Sequence, residues 1–515
     1  MKHTELKRIL VANRGEIALR IGRTAREMGM EWVAVHSDPD RSSLHTRFAD
    51  IAYSLGGSTP AESYLDAGKI IAAAVATGAQ AIHPGYGFLA ENAGFAQAVI
   101  DAGLIWIGPP PRAIIDMGDK ITSRQIMGAA GVPIVPGMAE PLADAAAAVA
   151  AAPGVGFPIC MKASAGGGGK GIRVVRDPKD LESAFKQASA EAQAAFGDGR
   201  MYLERYLDQP RHIEVQVLFD AHGNGVHLGE RECSIQRRHQ KLLEECPSPT
   251  IDAATRAAMG ETALQAARAV GYQGAGTVEF LFSKGEFFFL EMNTRLQVEH
   301  PITEMVTGVD LVREQLRIAA GEELGYDQDA IVMRGHAIEV RINAEDPANK
   351  FLPSTGTVQN LRLPGGPWVR LDSALYNGLE VGLNYDPMLA KLIVWGADRA
   401  QAIERMRRAL AEMNVGGVST GAPAALRVLQ EPAFRAGDYD THFLESLDLT
   451  EDFLKMGDVA AIAAAVFRHH KARRSALQPT AGRRDAWLSR GRAARAHYPL
   501  PPSASAGERA DRSHA

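Results

Sequence analysis

Residues 276–300 read GTVEFLFSKGEFFFLEMNTRLQVEH, and no other part of the chain constrains the architecture as tightly. Two apolar runs flank a Lys-Gly pair, a pattern that predicts two antiparallel strands joined by a tight turn. A three-residue loop at 284–286 places Glu279 opposite Glu291, with Asn293 on the same face. Two adjacent carboxylates on an apolar hairpin repel each other, and Mg²⁺ bound together with nucleotide phosphates resolves such repulsion. The hairpin therefore predicts a metal–nucleotide site, with a solvated strand face as the alternative interpretation.

The alternation of polar and apolar residues continues beyond the hairpin. If the chain stays extended, one face carries five polar side chains: Glu291, Asn293, Arg295, Gln297 and Glu299. Arg295 can bind a planar oxyanion, and Glu299 beside it can act as a general base. A second row follows in HAIEVRINAED, with Glu339, Arg341 and Asn343. The two rows together predict the wall of an active site, although either row alone is also compatible with a surface ladder of ion pairs.

A glycine run, AGGGGKG at 165–171, lies between two predicted strands, FPICMKAS and IRVVR. It is not a nucleotide-binding P-loop, because Gly171 stands where Ser or Thr should follow the lysine. The pattern predicts a β-hairpin whose glycine tip lets backbone N–H groups fold over phosphate. Lys162 lies in an apolar strand and needs an anionic partner. This lysine favours ligand binding over a flexible loop without a ligand.

The first hundred residues alternate strand and helix signals. ILVA at 9–12 and WVAVH at 32–36 predict strands, and the apolar stripe of residues 15–28 predicts a helix between them. Such a βαβ unit predicts a doubly wound parallel sheet of the α/β class. The NRGE turn after the first strand lacks the glycines of a dinucleotide fingerprint, so NAD or FAD binding is excluded. Residues 335–396 read as mostly β, which predicts an α+β part further along the chain.

Composition and charge exclude several classes of function. The 515-residue chain has a formal net charge of −5 and an isoelectric point near 6.3, which argues against a general nucleic-acid binder. Its three cysteines form no CxxC pair, so we expect a reduced, cytoplasmic protein. No signal-peptide core or bilayer-length apolar segment is evident, so no membrane association is expected. From residue 468 onwards, eleven basic residues accompany three acidic ones, which predicts a partly disordered extension, with partner docking as the alternative.

A short basic cluster, RRHQK at 237–241, precedes two leucines and two glutamates. It is too short and too close to acidic residues to predict a nucleic-acid patch. Its side chains are suitable donors to phosphate or bicarbonate, and a salt-bridged turn is the alternative interpretation.

Several motifs together resemble one family, the biotin carboxylase component of biotin-dependent carboxylases. The matching strings are ANRGEIALR (12–20), HPGYGFLAEN (83–92), MGDK (117–120), MKASAGGGGKG (161–171), PRHIEVQV (210–217), ERECSIQRRHQK (230–241), EMNTRLQVEHPITE (291–304) and RINAEDP (341–347). The resemblance extends from about residue 5 to residue 447. The EMNTRLQVEH and RRHQK strings are highly specific within the wider ATP-grasp superfamily.

The resemblance implies a pre-ATP-grasp doubly wound domain, an ATP-grasp core with a glycine-tipped lid, and a C-terminal biotin carboxylase domain. The implied limits are 1–112, 113–330 with the lid at about 135–207, and 331–447, followed by the basic extension 448–515. The resemblance also implies a homodimer that works with a biotin carboxyl carrier protein and carboxyltransferase subunits. The sequence contains no Ala-Met-Lys-Met string of a biotinyl lysine, so we expect the carrier to be a separate chain.

The same resemblance assigns roles to individual residues. For ATP it implies Lys120, Lys162, Gly168, Gly169, Glu204, Arg205, Tyr206, Leu207, His212, His239, Glu279 and Glu291. For two Mg²⁺ or Mn²⁺ ions it implies Glu279, Glu291 and Asn293. For bicarbonate it implies Lys241, Arg295, Gln297 and the Val298 backbone, and for biotin Arg341, Tyr86 and Asp386. The catalytic residues would be Arg295, Glu299, Lys241 and Arg341, with Glu299 as general base and Arg341 stabilising the enolate form of biotin.

The implied reaction is ATP- and bicarbonate-dependent carboxylation of carrier-bound biotin through carboxyphosphate. It would be the first half-reaction of an acyl-CoA carboxylase, with acetyl-CoA as the preferred acceptor and pyruvate as an alternative. Another ATP-grasp ligase with an acyl-phosphate intermediate is a second hypothesis, but it would not need Arg341 or the RRHQK string. A non-catalytic role in a complex is a third, but such a chain should have lost one of the charged residues implied above, and all are present.

Overall fold

The computed structural model describes residues 3–138, 140–142, 144–163, 172–238, 240–448, 462–470 and 473. The predicted glycine tip with Gly168 and Gly169, the residue His239, and most of the extension 448–515 lie outside the described residues. The chain forms two units, Met1–Leu449 and Thr450–Ala515. In the second unit, residues 462–470 form a helix with exposed side chains. Within the described ranges, no helix is long and apolar enough to cross a membrane.

The N-terminal region is the predicted parallel sheet with helices around it. Its elements are β1 (Arg8–Val11), α1 (Gly15–Glu27), β2 (Glu31–His36), α2 (Leu44–Phe48), β3 (Ile51–Ser54), α3 (Ala67–Thr77), β4 (Ala81–His83), α4 (Ala93–Asp101) and β5 (Ile105–Trp106). The strand order β3-β2-β1-β4-β5 is that of a doubly wound sheet. Helix α1 buries Ile17, Ile21 and Ala25, the apolar stripe that its sequence predicts.

A smaller α/β layer follows. Two helices precede it, α5 (Pro111–Gly118) and α6 (Lys120–Ala129), and they pack in the apolar cluster of the large sheet described below. The elements of the layer are α7 (Ala145–Val155), β6 (Ile159–Ala163), β7 (Ile172–Val175), α8 (Leu181–Phe196) and β8 (Met201–Arg205). Strand β6 pairs in antiparallel fashion with both β7 and β8, so the strands on either side of the glycine run form the predicted hairpin. Helices α7 and α8 pack on this three-stranded sheet through small and apolar residues such as Ala148, Ala188 and Phe185.

The remainder of the first unit is built on long antiparallel strands. The elements up to residue 343 are β9 (Arg211–Phe219), β10 (Gly225–Arg237), β11 (Gln240–Cys246), α9 (Ala253–Ala269), β12 (Gly274–Ser283), β13 (Glu286–Asn293), α10 (His300–Thr307), α11 (Leu311–Ala319) and β14 (His336–Asn343). The later elements are β15 (Glu345–Asp346), β16 (Leu352–Pro353), β17 (Gly356–Thr357), β18 (Gln359–Arg362), β19 (Val369–Ser373), β20 (Glu380–Val381), β21 (Met388–Gly396), α12 (Arg399–Glu412), β22 (Asn414–Gly416), α13 (Ala422–Val428) and α14 (Pro432–Ala436). Short 3₁₀ helices lie at Pro178–Asp180, Gln328–Ala330, Pro347–Asn349 and Phe443–Ser446.

Eight of these strands form one continuous sheet in the order β13-β12-β9-β10-β11-β14-β21-β19. Strand β11 pairs with β14, so the sheet crosses residue 330, where the sequence predicts a domain limit. One face of its C-terminal half packs on α12 and α13 through a large apolar cluster that includes Leu392 and Met406. The opposite face lies under α10 and is rich in charged residues. The sheet therefore brings side chains from both predicted domains to one polar surface.

The β12–β13 hairpin differs from its prediction at the turn. Ser283 pairs with Glu286, so the loop has two residues, Lys284 and Gly285, and the predicted three-residue loop is wrong. Both loop residues have positive φ angles (52° and 83°), a conformation that matches the twist of the flanking strands. A bulge after Glu279 then shifts the register by one residue. The bulge restores the predicted alignment of the carboxylates, although the turn is shorter.

We predict that Gly22→Ala destabilises the N-terminal sheet. Gly22 lies on α1, and a Cβ atom there would stand 2.4 Å from Cε2 of the buried Trp32 ring on β2. Forcing the ring or the helix to move should cost about 1–3 kcal/mol, because close-packed interiors resist added volume. Thermal unfolding should show a lower Tm.

Gly154→Ala is the matched control, because Gly154 lies on α7 with nothing within 4 Å of its Cβ position. Its Tm should be equal or higher, since alanine favours helix. An equal Tm for both variants would contradict the close contact between α1 and Trp32.

Candidate active site

The two carboxylates of the hairpin lie opposite each other. Glu279 on β12 and Glu291 on β13 are cross-strand partners, as predicted, and Asn293 lies two residues further along the same face. Glu279 is buried, accepts a hydrogen bond from Asn293 Nδ2 (2.8 Å), and lies 2.8 Å from Nε2 of His212. Glu291 is half-buried and has no hydrogen-bond or ion-pair partner among the described residues. The hairpin thus presents one well-paired carboxylate and one that faces the site without a partner.

The side chain of Lys241 is the centre of the charge network. It lies on β11, and its Nζ is 2.6 Å from Glu214, 3.2 Å from Glu279 and in direct contact with Glu299. Burial opposes the charged form, but Cys233 and the three carboxylates raise the pKa of Lys241 well above its usual value. Lys241 is therefore protonated at neutral pH and links three strands to the turn that precedes α10.

A fully buried arginine completes this network from behind. Arg231 on β10 binds Glu214, its cross-strand partner on β9, and neither residue has exposed surface. Three further N–H groups donate to Gln216 (2.7 Å), Thr303 (2.9 Å) and Thr277 (3.0 Å). Every polar contact of the guanidinium is thus made inside the protein. Glu214 thus forms ion pairs with two cations, Arg231 and Lys241, inside the protein.

The segment after β13 is not extended, so the predicted row of alternating side chains from 291 to 299 is wrong. Strand β13 ends at Asn293, and the chain turns before α10 begins at His300. The turn buries Leu296 in the apolar cluster that also contains residues of α1. Burial of this leucine competes with continued sheet pairing. This competition depends on tertiary packing, so it cannot be predicted from the local alternation of polar and apolar residues.

The predicted polar groups nevertheless converge, because the turn folds them back onto the hairpin. The Arg295 guanidinium donates to Asn293 Oδ1 (2.9 Å), Gln297 Oε1 (2.8 Å) and Glu91 Oε2 (2.8 Å). Gln297 in turn donates to Glu279 (3.2 Å). The side chains of Arg295 and Gln297 therefore lie beside the hairpin carboxylates, as an active-site wall requires.

Glu299 lies between two cations. It is fully buried, its Oε1 binds Lys241 Nζ, and its Oε2 accepts from Arg341 Nη2 (2.9 Å). Burial opposes ionisation, but Lys241, Arg341 and Arg231 hold the pKa of Glu299 well below its usual value. Glu299 is therefore ionised at neutral pH, the form that can accept a proton.

Arg341 on β14 is oriented by two carboxylates. Its Nε donates to Glu244 Oε1 (2.7 Å) on β11, while Nη2 reaches Glu299. Burial raises the pKa of Glu244 to about 7 despite this contact. The second predicted row, Glu339, Arg341 and Asn343, lies on β14, but its three side chains have different partners. Glu339 is fully buried without a partner among the described residues, burial raises its pKa, and Asn343 donates to Glu345 (3.3 Å).

The anionic partner predicted for Lys162 is a carboxylate. Lys162 on β6 forms an ion pair with Glu204 on the adjacent strand β8, and Arg124 of α6 donates to the other oxygen of Glu204 (2.7 Å). Lys120 is exposed at the start of α6. The next three residues implied for ATP, Arg205, Tyr206 and Leu207, are all half-buried at the end of β8.

The two further candidates for biotin occupy different environments. The hydroxyl of Tyr86 donates to Glu16, and burial raises the pKa of Tyr86 well above its usual value. Nζ of Lys391 lies 5.8 Å from the centre of the Tyr86 ring. Asp386 is exposed, and its carboxylate accepts from the Met388 N–H (3.1 Å).

The donor set of the hairpin fits a hard divalent cation. Glu279 and Glu291 supply carboxylates, Asn293 supplies an amide oxygen, and Glu291 has no competing partner among the described residues. A second group of potential ligand atoms, from His212, Glu214 and Glu279, lies within 4.8 Å of one another. Both groups share Glu279, whereas a third group of potential ligand atoms, from Glu214, Cys233 and Glu299, does not include it.

Sequence reasoning missed several residues that hold the site together: Glu91, Arg124, Glu214, Arg231, Glu244 and Lys391. Lys391 in MLAKLIVWG is a lysine in an apolar strand, the same signal that identified Lys162. Arg231 is one of three consecutive charged residues that are buried on β10. A charged residue within an otherwise apolar strand could therefore have identified these residues as candidates for the site. Their partners could be found only from the register of the sheet.

Three families match consecutive parts of the chain. The biotin carboxylase N-terminal domain family matches residues 5–114, the family of the carbamoyl-phosphate synthase L chain ATP binding domain matches 119–326, and the biotin carboxylase C-terminal domain family matches 339–446. With the sheet topology and the charged site, these matches define an ATP-dependent ligase of the ATP-grasp class.

Individual relatives indicate which family within this class the chain resembles. The biotin carboxylase of Nostoc sp. is 51% identical over 442 residues, which cover 86% of this chain and 99% of the relative. A pyruvate carboxylase subunit from Methanothermobacter thermautotrophicus is 49% identical over 487 residues, which cover 91% and 99%. The biotin carboxylase domain of 2-oxoglutarate carboxylase from Hydrogenobacter thermophilus, a dimer crystallised with MgADP, ADP and bicarbonate, aligns with a TM-score of 0.81 at 47% identity over 86% of this chain and 98% of that chain. The chain belongs to the biotin carboxylase family, the ATP-dependent subunits of biotin-dependent carboxylases.

We predict that Arg231→Met strongly destabilises the protein. The change leaves the fully buried Glu214 with Lys241 as its remaining cation and removes donors to three buried oxygens. Breaking a buried ion pair from one side costs about 3–5 kcal/mol. Chemical denaturation should show a lower midpoint.

Arg200→Met is the control, because Arg200 forms an exposed ion pair with Asp198. Its midpoint should match that of the wild type, because exposed pairs contribute little. If the denaturation midpoint of Arg231→Met also equals that of the wild type, Arg231 is not needed to stabilise the buried charge of Glu214.

Proposed function

We propose that this chain carboxylates biotin on a separate carrier protein, using ATP and bicarbonate, with carboxyphosphate as the intermediate. The observation that carries the proposal is the placement of Glu299 between Lys241 and Arg341, beside the Glu279–Glu291 pair. A base flanked by two cations suits a reaction in which an anion binds and a proton is then removed nearby.

ATP binds between the three-stranded layer and the large sheet in this proposal. Lys120 and Lys162 hold its phosphates, with Gly168 and Gly169 closing over them. The adenine side is formed by Glu204, Arg205, Tyr206 and Leu207, and His212 and His239 contact the nucleotide further along. Lys162 donates one hydrogen bond to Glu204, and the other donors of its ammonium group are available to a phosphate oxygen. The MgADP in the Hydrogenobacter thermophilus structure supports the nucleotide and the metal.

The cation site in this proposal consists of Glu279, Glu291 and Asn293, which hold two ions of Mg²⁺ or Mn²⁺. When bound, the ions neutralise phosphate charge and polarise the oxygens of the transferred group. Asn293 orients Glu279 through its side-chain amide, and Lys241 keeps that carboxylate ionised.

Bicarbonate is a poor electrophile and needs activation. In the proposed step a bicarbonate oxygen attacks the γ-phosphorus of ATP, ADP leaves, and carboxyphosphate forms. Lys241 and Arg295 compensate the anionic charge, and Gln297 and the Val298 backbone provide further hydrogen bonds. The bicarbonate bound in the Hydrogenobacter thermophilus structure supports this substrate.

Biotin is carboxylated at its ureido nitrogen. Glu299 accepts the proton of that nitrogen, and Arg341 stabilises the negative charge that develops on the ureido oxygen. The nitrogen then bonds to the carbon of the carboxyl group while phosphate leaves. Tyr86 and Asp386 form the biotin side of the site.

For partners, the proposal includes a biotin carboxyl carrier protein, carboxyltransferase subunits and a second copy of this chain, in the cytoplasm. The dimer of the Hydrogenobacter thermophilus domain supports the second copy. The domain limits at 112, 330 and 447 belong to the same proposal.

Acetyl-CoA is the proposed final acceptor of the carboxyl group. Pyruvate is the second candidate, because the relative from Methanothermobacter thermautotrophicus, of nearly equal length, belongs to a pyruvate carboxylase.

We predict that the purified chain releases phosphate from MgATP only when bicarbonate and biotin are both present, apart from a low basal rate. Phosphate release is measured with each component omitted in turn, and biotin is supplied free and on a carrier protein. Bicarbonate-dependent release that ignores both forms of biotin would instead indicate another ligase that uses carboxyphosphate, and the role of Arg341 would be wrong.

We predict that Glu299→Gln retains ADP binding but loses biotin-dependent turnover by about 10²–10⁴-fold, the usual contribution of a general base. The glutamine keeps the size of the side chain and removes the basic oxygen. Glu261→Gln is the matched control, since Glu261 is exposed on α9 and pairs with the exposed Arg268. Turnover of Glu299→Gln near the wild-type rate would remove Glu299 from the role of base.

A further inference from the structure

Two buried side chains hold the backbone of the turn that leads into α10. Nζ of Lys391 donates to the Val298 carbonyl (2.8 Å), and Nδ1 of His300 lies 2.7 Å from the Gln297 carbonyl. Lys391 and His300 are both fully buried. Consecutive carbonyl groups of one turn are thus each fixed by a side chain from behind.

Lys391 is built into the charged face of the large sheet. It lies on β21, where its cross-strand partners are Arg341 on β14 and Asp372 on β19. Its Nζ is 3.3 Å from Glu16 and 4.0 Å from Asp372. A lysine with no exposed surface is stable only if its charge and donors are satisfied inside the protein. These carboxylates compensate the charge, which leaves the Val298 carbonyl as the uncharged acceptor that the lysine orients.

The hydrogen-bond role of His300 follows from its partner. A carbonyl oxygen only accepts, so Nδ1 must carry the proton. Burial, together with the nearby cations Lys391, Arg20 and Arg370, lowers the pKa of His300 well below its usual value. The ring is therefore neutral, with its single proton on Nδ1, and Nε2 has no partner among the described residues.

Fixing these carbonyls also fixes two N–H groups. The peptide bonds before Val298 and Glu299 are trans, so the N–H of each points opposite to the carbonyl of the same peptide. Within the described part of the chain, neither N–H donates to a protein acceptor. The carbonyls point toward Lys391 and His300, so the N–H groups point away from them. The side chain of Gln297, in the same turn, lies beside Arg295 and Glu279.

We propose that Lys391 and His300 are positioning residues that orient the Val298 and Glu299 N–H groups toward the bicarbonate anion. This inference rests on the proposed function, because it requires bicarbonate to be the substrate held at this turn. Neither side chain touches the substrate. They act through the backbone by holding two donors in the geometry that an oxyanion requires.

Lys391→Met tests the proposal. Methionine keeps much of the length of the side chain and removes the donor. Loss of one charge-assisted hydrogen bond should raise the KM for bicarbonate by about 10–100-fold. The KM for ATP and the Kd for ADP should be unchanged, because none of the residues assigned to the nucleotide lies in this turn. Phosphate release at varied bicarbonate and at varied ATP, with ADP titration calorimetry, measures these constants.

Arg399→Met is the matched control. Arg399 is another largely buried cation, which binds Glu245 through two N–H groups and donates to the carbonyls of Phe434 (2.7 Å) and Arg435 (2.8 Å). Its loss should lower the Tm and leave the KM for bicarbonate unchanged. A selective rise in Lys391→Met and none in Arg399→Met would support positioning, whereas parallel changes in both variants would indicate a general loss of stability.

His300→Phe is the independent second variant, because it removes the other donor and keeps an aromatic ring. The same selective rise in the KM for bicarbonate is expected, and this variant decides the question if Lys391→Met does not bind ADP. A KM for bicarbonate equal to that of the wild type in a variant that still binds ADP would overturn the inference and leave the proposed function intact. Absence of bicarbonate-dependent phosphate release in the wild type would overturn the proposed function and the inference with it.

Discussion

The buried charge of Glu214 is the constraint on which the site depends. This carboxylate lies in the interior of the large sheet with no exposed surface, and it is compensated by Arg231 from one side and Lys241 from the other. Lys241 also binds Glu279 and Glu299. One lysine therefore holds three carboxylates that would otherwise repel each other in a low-dielectric interior. These contacts connect the hairpin and the turn before α10 to the large sheet.

The sheet extends this network across the protein. Because β11 pairs with β14, the carboxylates of the ATP-binding region lie next to Arg341, which belongs to the part matched by the biotin carboxylase C-terminal domain. Arg341 and Lys391 are cross-strand partners, and Lys391 reaches Glu16 in the N-terminal part. Residues from all three matched parts of the chain thus share one charged face. A reaction that combines a nucleotide, an anion and a biotin ring needs such convergence.

The sequence predicted the elements best where a single local signal was strong. The parallel βαβ opening and the antiparallel pairing of Glu279 with Glu291 are confirmed. The loop length of the same hairpin was wrong because a bulge shifts the register, and a bulge leaves no mark in the alternation of residue types. The extended row beyond Asn293 was wrong for a different reason. The chain turns after Asn293, and the turn buries Leu296 in the apolar cluster of α1.

The sequence by itself was enough to predict which charged residues belong to the site, on which strands most of them lie, and to which family the chain belongs. Sequence motifs and the alternation of polar and apolar residues are local properties, so they can be recognised without the tertiary structure. Only the tertiary structure decided which charges meet. Lys241 and Glu299 are 58 residues apart, and Lys391 and Val298 are 93 apart. Their contacts arise from the strand order of the sheet and from the turn that Leu296 buries. Buried charges must be paired, and the partner of each charge depends on which strands are neighbours in the sheet. The order of the strands depends in turn on the packing of the whole core.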